Sequence, residues 1–119
     1  MRHFYDQVNV AWTLPKAGLL PPLCLATSKS CASFEAEAAG LVSKHHRYSG
    51  APVTLSSVVD LGETDGLRVV DYRAVQERRD VLDSSGHPVL TDARKELHGE
   101  AALTWVGDGW RIATLKKVV

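Results

Sequence analysis

Three polar residues, Ser57, Tyr72 and Gln76, fall on the less charged faces of alternating segments, and His45 closes an apolar helical stripe. A tyrosine facing a histidine across a dry pocket can support proton abstraction beside a carbonyl. The imidazole then acts as base and the phenol stabilises the enolate. That is the chemistry of a small isomerase or dehydratase working on a hydrophobic substrate. The plainer account makes Tyr72 an ordinary strand aromatic and His45 a helix C-terminus favoured by the dipole. No inward acid joins them, because Asp71, Glu77 and Glu100 alternate onto the outward faces. No catalytic residue is therefore assigned. The aromatics Phe4, Tyr5, Trp12, Tyr72, Trp105 and Trp110 can surround one end of the domain, as an apolar pocket for a small hydrophobic ligand or as plain core filling. The candidate pocket residues are Tyr5, Trp12, His45, Ser57, Tyr72, Gln76 and Trp105.

No metal or cofactor is expected. His45 and His46 are adjacent, so on a helix they diverge by about 100° and cannot chelate together. His3, His87 and His98 are scattered. Nucleophile motifs and glycine-rich phosphate loops are absent. Cys24 and Cys31, with six residues between them in a spacing that is neither a metal nor a redox motif, permit a disulfide; two buried free thiols are the alternative.

Helices and strands must position these groups. Residues 2–13 carry Phe4, Val8, Ala11 and Trp12 on one helical face, and Pro15 ends the run. A connector follows over residues 15–30, with one helical turn expected near residues 17–20 and Ser30 as the next N-cap. Residues 31–45 form a second helix with Cys31, Phe34, Ala38, Leu41, Val42 and His45 on one face. From Tyr48 onward the period changes to two. Val53, Leu55, Ser57, Val59 and Leu61 alternate on one face of a first strand, residues 62–66 turn, and residues 67–81 run as one long strand. Residues 88–94 are either a short strand or an excursion. Residues 97–106 and 110–118 close the chain as a hairpin around Gly107-Asp108-Gly109. Helices first and hairpin-linked strands after define an α+β domain, two N-terminal helices on a curved antiparallel sheet of four to five strands.

The 119 residues fit one domain, with 45% hydrophobic and 24% charged residues typical of a globular chain. Lys+Arg and Asp+Glu balance at 14 each, which argues against nucleic acid or an anionic membrane surface as partner. The richest apolar stretch, residues 19–25, is short and broken by Pro21 and Pro22, so no membrane span is expected. It is no lipid-attachment site either, because Leu23 is large where a small residue is needed. The chain opens almost directly in a helical pattern, which fits a chain whose leader has been removed.

The opening helix Phe4-Tyr5…Trp12, the long strands and the closing hairpin Trp105-Val106-Gly107-Asp108-Gly109-Trp110-Arg111-Ile112 resemble the nuclear transport factor 2-like (cystatin-like cone) superfamily. Ser30-Cys31-Ala32-Ser33-Phe34 and Arg47-Tyr48-Ser49-Gly50 resemble, within it, domains of unknown function in actinobacterial envelope lipoproteins. Where such domains carry a second cysteine three residues after the first, this chain has Phe34. The resemblance then implies a Cys24–Cys31 pair pinning the connector to the second helix. It also implies an exported domain tethered at the outer face of a membrane. In that superfamily sheet-to-sheet dimers are common, and the outward mixture of Asp71, Arg73, Glu77 and Arg79 with Val69 and Val75 suits a homodimer face with charges fixing register. A fold names no function. The leading expectation is a non-catalytic envelope domain binding a protein partner or small hydrophobic ligand, and the alternative is the cone enzyme above.

Overall fold

Phe4, Tyr5, Val8, Ala11 and Trp12 recur at helical spacing, and their joint burial makes α1, Arg2–Thr13. In the computed structural model, which describes residues 1–118, this stripe lies on a sheet of long strands. The Asn9 side chain fixes the docking. Its amide donates to the Val53 carbonyl at 2.8 Å and accepts from the Val53 N–H at 3.0 Å, as a neighbouring strand would.

The connector makes its short 3-10 turn at Pro21–Leu23, later than expected, because two successive prolines preset the backbone there. Beyond it, the Leu25 N–H donates to the Ile112 carbonyl at 2.9 Å, and Cys24 is bonded to Cys31 as the resemblance implied. Helix α2, Lys29–Lys44, begins two residues earlier than expected. Ser28 supplies the capping oxygen, accepting from the Cys31 N–H at 3.3 Å, while the Ser30 hydroxyl reaches across to the Leu115 carbonyl at 3.1 Å. The helix stops at Lys44 because His45 turns left-handed at φ 56°. The His46 N–H then bonds the Leu41 carbonyl and the His45 N–H the Val42 carbonyl, the doubled closure of a Schellman end.

Seven strands follow: β1 Arg47–Tyr48, β2 Val53–Thr64, β3 Leu67–Gln76, β4 Arg79–Leu82, β5 Pro88–Asp92, β6 Lys95–Val106 and β7 Gly109–Lys117. They form two antiparallel sheets, a large one in the order β2-β3-β6-β7 and a small one in the order β1-β4-β5. The α+β class and the two helices stand. The single curved sheet of a closed cone is corrected to two sheets. What read as one strand over residues 67–81 breaks at a corner, where the Glu77 N–H bonds the Pro52 carbonyl at 2.7 Å and β4 leaves to pair with β1 and β5. Alternation does not register such a corner, because the residues on both sides keep their period of two.

The core joins the inner face of both helices to Val53, Val70, Tyr72, Ala74, Ala101 and Ile112 of the large sheet and to Tyr48 and Val81 of the small one. At the end where the β2–β3 and β6–β7 hairpins turn, the large sheet outruns this core, and the molecule measures 49 × 27 × 19 Å. None of the helices among the described residues is long and apolar enough to cross a membrane.

Candidate functional site

Three of the seven candidate pocket residues meet in the middle of the core. Tyr5 of α1 donates its hydroxyl to that of Tyr72 of β3 at 3.3 Å, with ring centres 5.8 Å apart. Phe34 of α2 meets both Phe4 and Tyr5 edge-on. Trp12 stacks on Tyr48 at 5.3 Å, and its indole N–H donates to the Phe34 carbonyl. Helical spacing put Trp12 on the buried face of α1 and alternation put Tyr72 on the buried face of β3, while Tyr5, which flanks the α1 stripe in the sequence, is buried as well. Their rings fill the space between the layers. The partner of the Tyr72 hydroxyl is another tyrosine, not an acid or an imidazole. Burial pushes the Tyr5 phenol far above its ordinary value, and the hydrogen bond to Tyr72 adds to the shift.

The other four lie elsewhere. Gln76, partly buried, ends β3 opposite Val53 and Lys95. His45 is exposed at the left-handed residue that closes α2. Ser57 stands opposite Arg73, on the outer face of the sheet rather than the inner one. A register shift between Leu55 and Ser57 inserts an extra residue, so the side chains from Ser57 up to the next shift change face; Val59, expected inward, is 52% exposed for the same reason. Trp105 lies at the far hairpin.

A polar cluster that sequence reasoning missed lies between α2 and the small sheet. Tyr48 donates to Asp92 at 2.5 Å beside a cavity of about 260 Å³ that Glu37, Lys44 and His46 also line. Burial first and Asp92 second push the Tyr48 phenol up. The two partners are 44 positions apart, and one belongs to a strand of two residues, too short to show a period. Among the described residues, no three His, Cys, Asp or Glu side chains gather as metal ligands.

The projecting end of the large sheet carries a different surface. Trp105 and Trp110 face each other across β6 and β7, edge to face with ring centres 5.4 Å apart, on the side that buries Ile112 further in. They are 56% and 45% exposed. Leu61, beside a second register shift between Asp60 and Gly62, is also exposed at this end, whereas the exposed Val59 and Val106 face the other side of the sheet. Ion pairs rim this end, Arg111 with Asp108 at 2.9 Å and Arg68 with Asp60 and Glu63 at 3.3 and 3.5 Å. The sequence offered both tryptophans as pocket-lining aromatics. Alternation does place them on the inner face, but only the position of the helices shows that this face is uncovered so far out.

No known protein family matches the chain, and no curated protein does. Among solved structures the chain is similar to the intermembrane space region of the chloroplast protein ARC6, with a TM-score of 0.62 and 16% identity over 99% of this chain and 90% of that one. At that identity the likeness is one of fold alone. It overturns the resemblance to the nuclear transport factor 2-like superfamily and to the actinobacterial envelope lipoproteins, because the ARC6 region is a different fold. The physical reason is that the motifs carrying the resemblance were local. A glycine-turned hairpin flanked by tryptophans and a serine-cysteine helix start fit many α+β arrangements, and neither specifies how seven strands divide between sheets. The membrane tether that the resemblance implied loses that ground.

Proposed function

We propose that this is a non-catalytic, exported binding domain whose ligand is a protein, held by apolar side chains seated on the Trp105–Trp110 end of the large sheet. The observation that carries the reading is the exposure of these two tryptophans on the inner face, beyond the reach of the helices. Tryptophan is the side chain most often found at the energetic centre of protein interfaces, and contiguous exposed apolar surface with a charged rim marks such sites. The filled aromatic core supports a protein rather than a small molecule as the partner of this fold, since side chains occupy the space among Tyr5, Trp12 and Tyr72. The Cys24–Cys31 disulfide supports export, because such bonds persist in oxidising compartments and are rare in reducing ones. The fold likeness to the ARC6 region supplies no compartment for this chain.

The test is a photo-crosslinking amino acid at Leu61, in the cells the protein comes from, with and without Trp105→Ala and Trp110→Ala. One discrete adduct with another protein, lost in the double variant, is expected. No adduct, or one that survives the double variant, overturns the reading, and an adduct of two copies of the chain replaces it with a homodimer. Tyr72→Phe leaves the adduct unchanged. In the same cells Cys24 and Cys31 resist alkylation before reduction; prompt alkylation of both contradicts export.

A further inference from the structure

The cavity of about 260 Å³ between α2 and the small sheet lies beside the aromatic core and away from the tryptophan end. Charges of both signs line it: Glu37 and Lys44 from α2, His46 just beyond the helix, and Asp92 from β5. None of the four joins an ion pair among the described residues.

Asp92 uses half of its carboxylate within the chain. Its Oδ2 accepts from the Tyr48 hydroxyl at 2.5 Å, whereas Oδ1 takes no hydrogen bond from the described residues and keeps surface open to solvent. Burial first, Asp92 second and the Glu37 carboxylate third push that phenol up, which places both carboxylates near one hydroxyl. A phenol has one proton to give, and it goes to Asp92, so Glu37 must find its donor elsewhere. Glu37 and Lys44 stand about 10 Å apart along the helix axis, with Gly40 between them on the cavity floor. A Cβ at Gly40 would meet nothing within 4 Å, so no neighbouring element demands glycine there, and glycine inside a helix weakens it. Its effect is to leave the floor open between the acidic and the basic groups. Leu41 and Val81, both buried, and Leu90, 51% exposed, supply the apolar part of the lining.

From unpaired charges of both signs around an apolar patch, we infer that this cavity binds a free α-amino acid with a short apolar side chain. Its ammonium lies between Asp92 and Glu37, its carboxylate meets Lys44 and His46, and its side chain covers Leu90. Both head-group contacts are charge-assisted. Lys44 opposes a lone cation, and Asp92 and Glu37 oppose a lone anion, so the lining selects a molecule that carries both charges. A volume just under the roughly 300 Å³ at which drug-sized pockets begin suits so small a ligand. The site lies outside the filled aromatic core and is independent of the protein-binding end.

The experiment is a backbone amide NMR titration of the disulfide-intact protein with L-alanine, L-valine and L-leucine. Isobutylamine and isovalerate, which are valine without its carboxylate and without its amine, run in parallel. Saturable shifts centred on residues 37–46 and 90–92 are expected with at least one amino acid, and binding about tenfold or more weaker with either analogue. Asp92→Asn keeps an acceptor for the Tyr48 hydroxyl, and Lys44→Gln keeps the helix; each weakens amino-acid binding by about tenfold or more. Gly40→Leu puts a helix-favouring side chain over the floor and abolishes the shifts in a folded protein. The inference is overturned by the absence of a saturable response to all three amino acids, by an analogue that binds as tightly as valine, or by binding that survives Gly40→Leu. Folded Asp92→Asn or Lys44→Gln protein that binds as tightly as the parent overturns it as well.

Discussion

Gly99 stands directly opposite Tyr72 across β3 and β6, and the phenol ring lies over it. A methyl group at Gly99 would overlap the Cζ, Oη and Cε1 atoms of that ring. Tyr72 cannot swing away cheaply, because Tyr5, itself braced by Phe34, packs against it and donates its hydroxyl to that of Tyr72. Gly99→Ala should therefore destabilise the domain by about 1–3 kcal/mol, the usual cost of overpacking a filled core. Urea denaturation measures it. Adding Tyr72→Ala to Gly99→Ala should recover the overlap part of that loss, and two costs that simply add would show that the ring is not the obstacle. In the sequence Gly99 is one more glycine in a strand, with nothing to mark it. The inward direction of Tyr72 was legible from alternation, whereas the residue it covers sits on another strand and depends on register.

Between elements, three ties set how the connector and helices meet the sheet: the Asn9 amide on Val53, the Leu25 N–H on Ile112, and the Cys24–Cys31 bond. Helix periods and the switch to strand periods were legible, because the buried stripes of α1 and α2 and the alternation of β3 and β6 are properties of single segments. The register shifts in β2 were not, because a bulge is fixed by what the neighbouring strand needs, and Ser57 and Val59 changed face as a result. The disulfide is the tie whose contribution can be isolated. It closes a loop of eight residues, counting both cysteines, and chain-entropy reasoning gives such a loop roughly 2.5 kcal/mol. Cys24→Ser with Cys31→Ser should lower the urea midpoint accordingly, with the slope little changed. It should also speed amide exchange at Leu25, whose N–H loses its anchored neighbour. An unchanged midpoint would mean that the contacts of the connector with β7 hold it without the bond.

At the scale of the whole molecule, the division of seven strands into two sheets lay outside the reach of the sequence, and so did the Tyr48–Asp92 site between α2 and the small sheet. Tyr48 enters the core from the small sheet and Tyr5 from α1, so two phenols are held neutral on opposite sides of the aromatic cluster. Burial is the main cause at both. The Tyr72 hydrogen bond adds at Tyr5, and the Asp92 carboxylate adds at Tyr48, where ionisation would set a phenolate beside it. Both folded values stand above the ordinary value of 10.0. The sign follows: the preference for the neutral phenol stabilises the fold fully below about pH 10 and is lost as pH rises beyond it, since only the unfolded chain releases these protons easily. The domain should therefore unfold in alkali as a unit, with the phenolate signals of Tyr5 and Tyr48 appearing together with the loss of far-ultraviolet circular dichroism. Tyr5→Phe with Tyr48→Phe should move that transition to higher pH, although each substitution also gives up a hydrogen bond and lowers stability at neutral pH. Tyrosine ring-carbon NMR across the titration separates the cases. Resonances of Tyr5 or Tyr48 that titrate near pH 10 while the amide spectrum stays folded would show that water reaches the phenols, and that the layers are not packed as tightly at their junction as the ring contacts require.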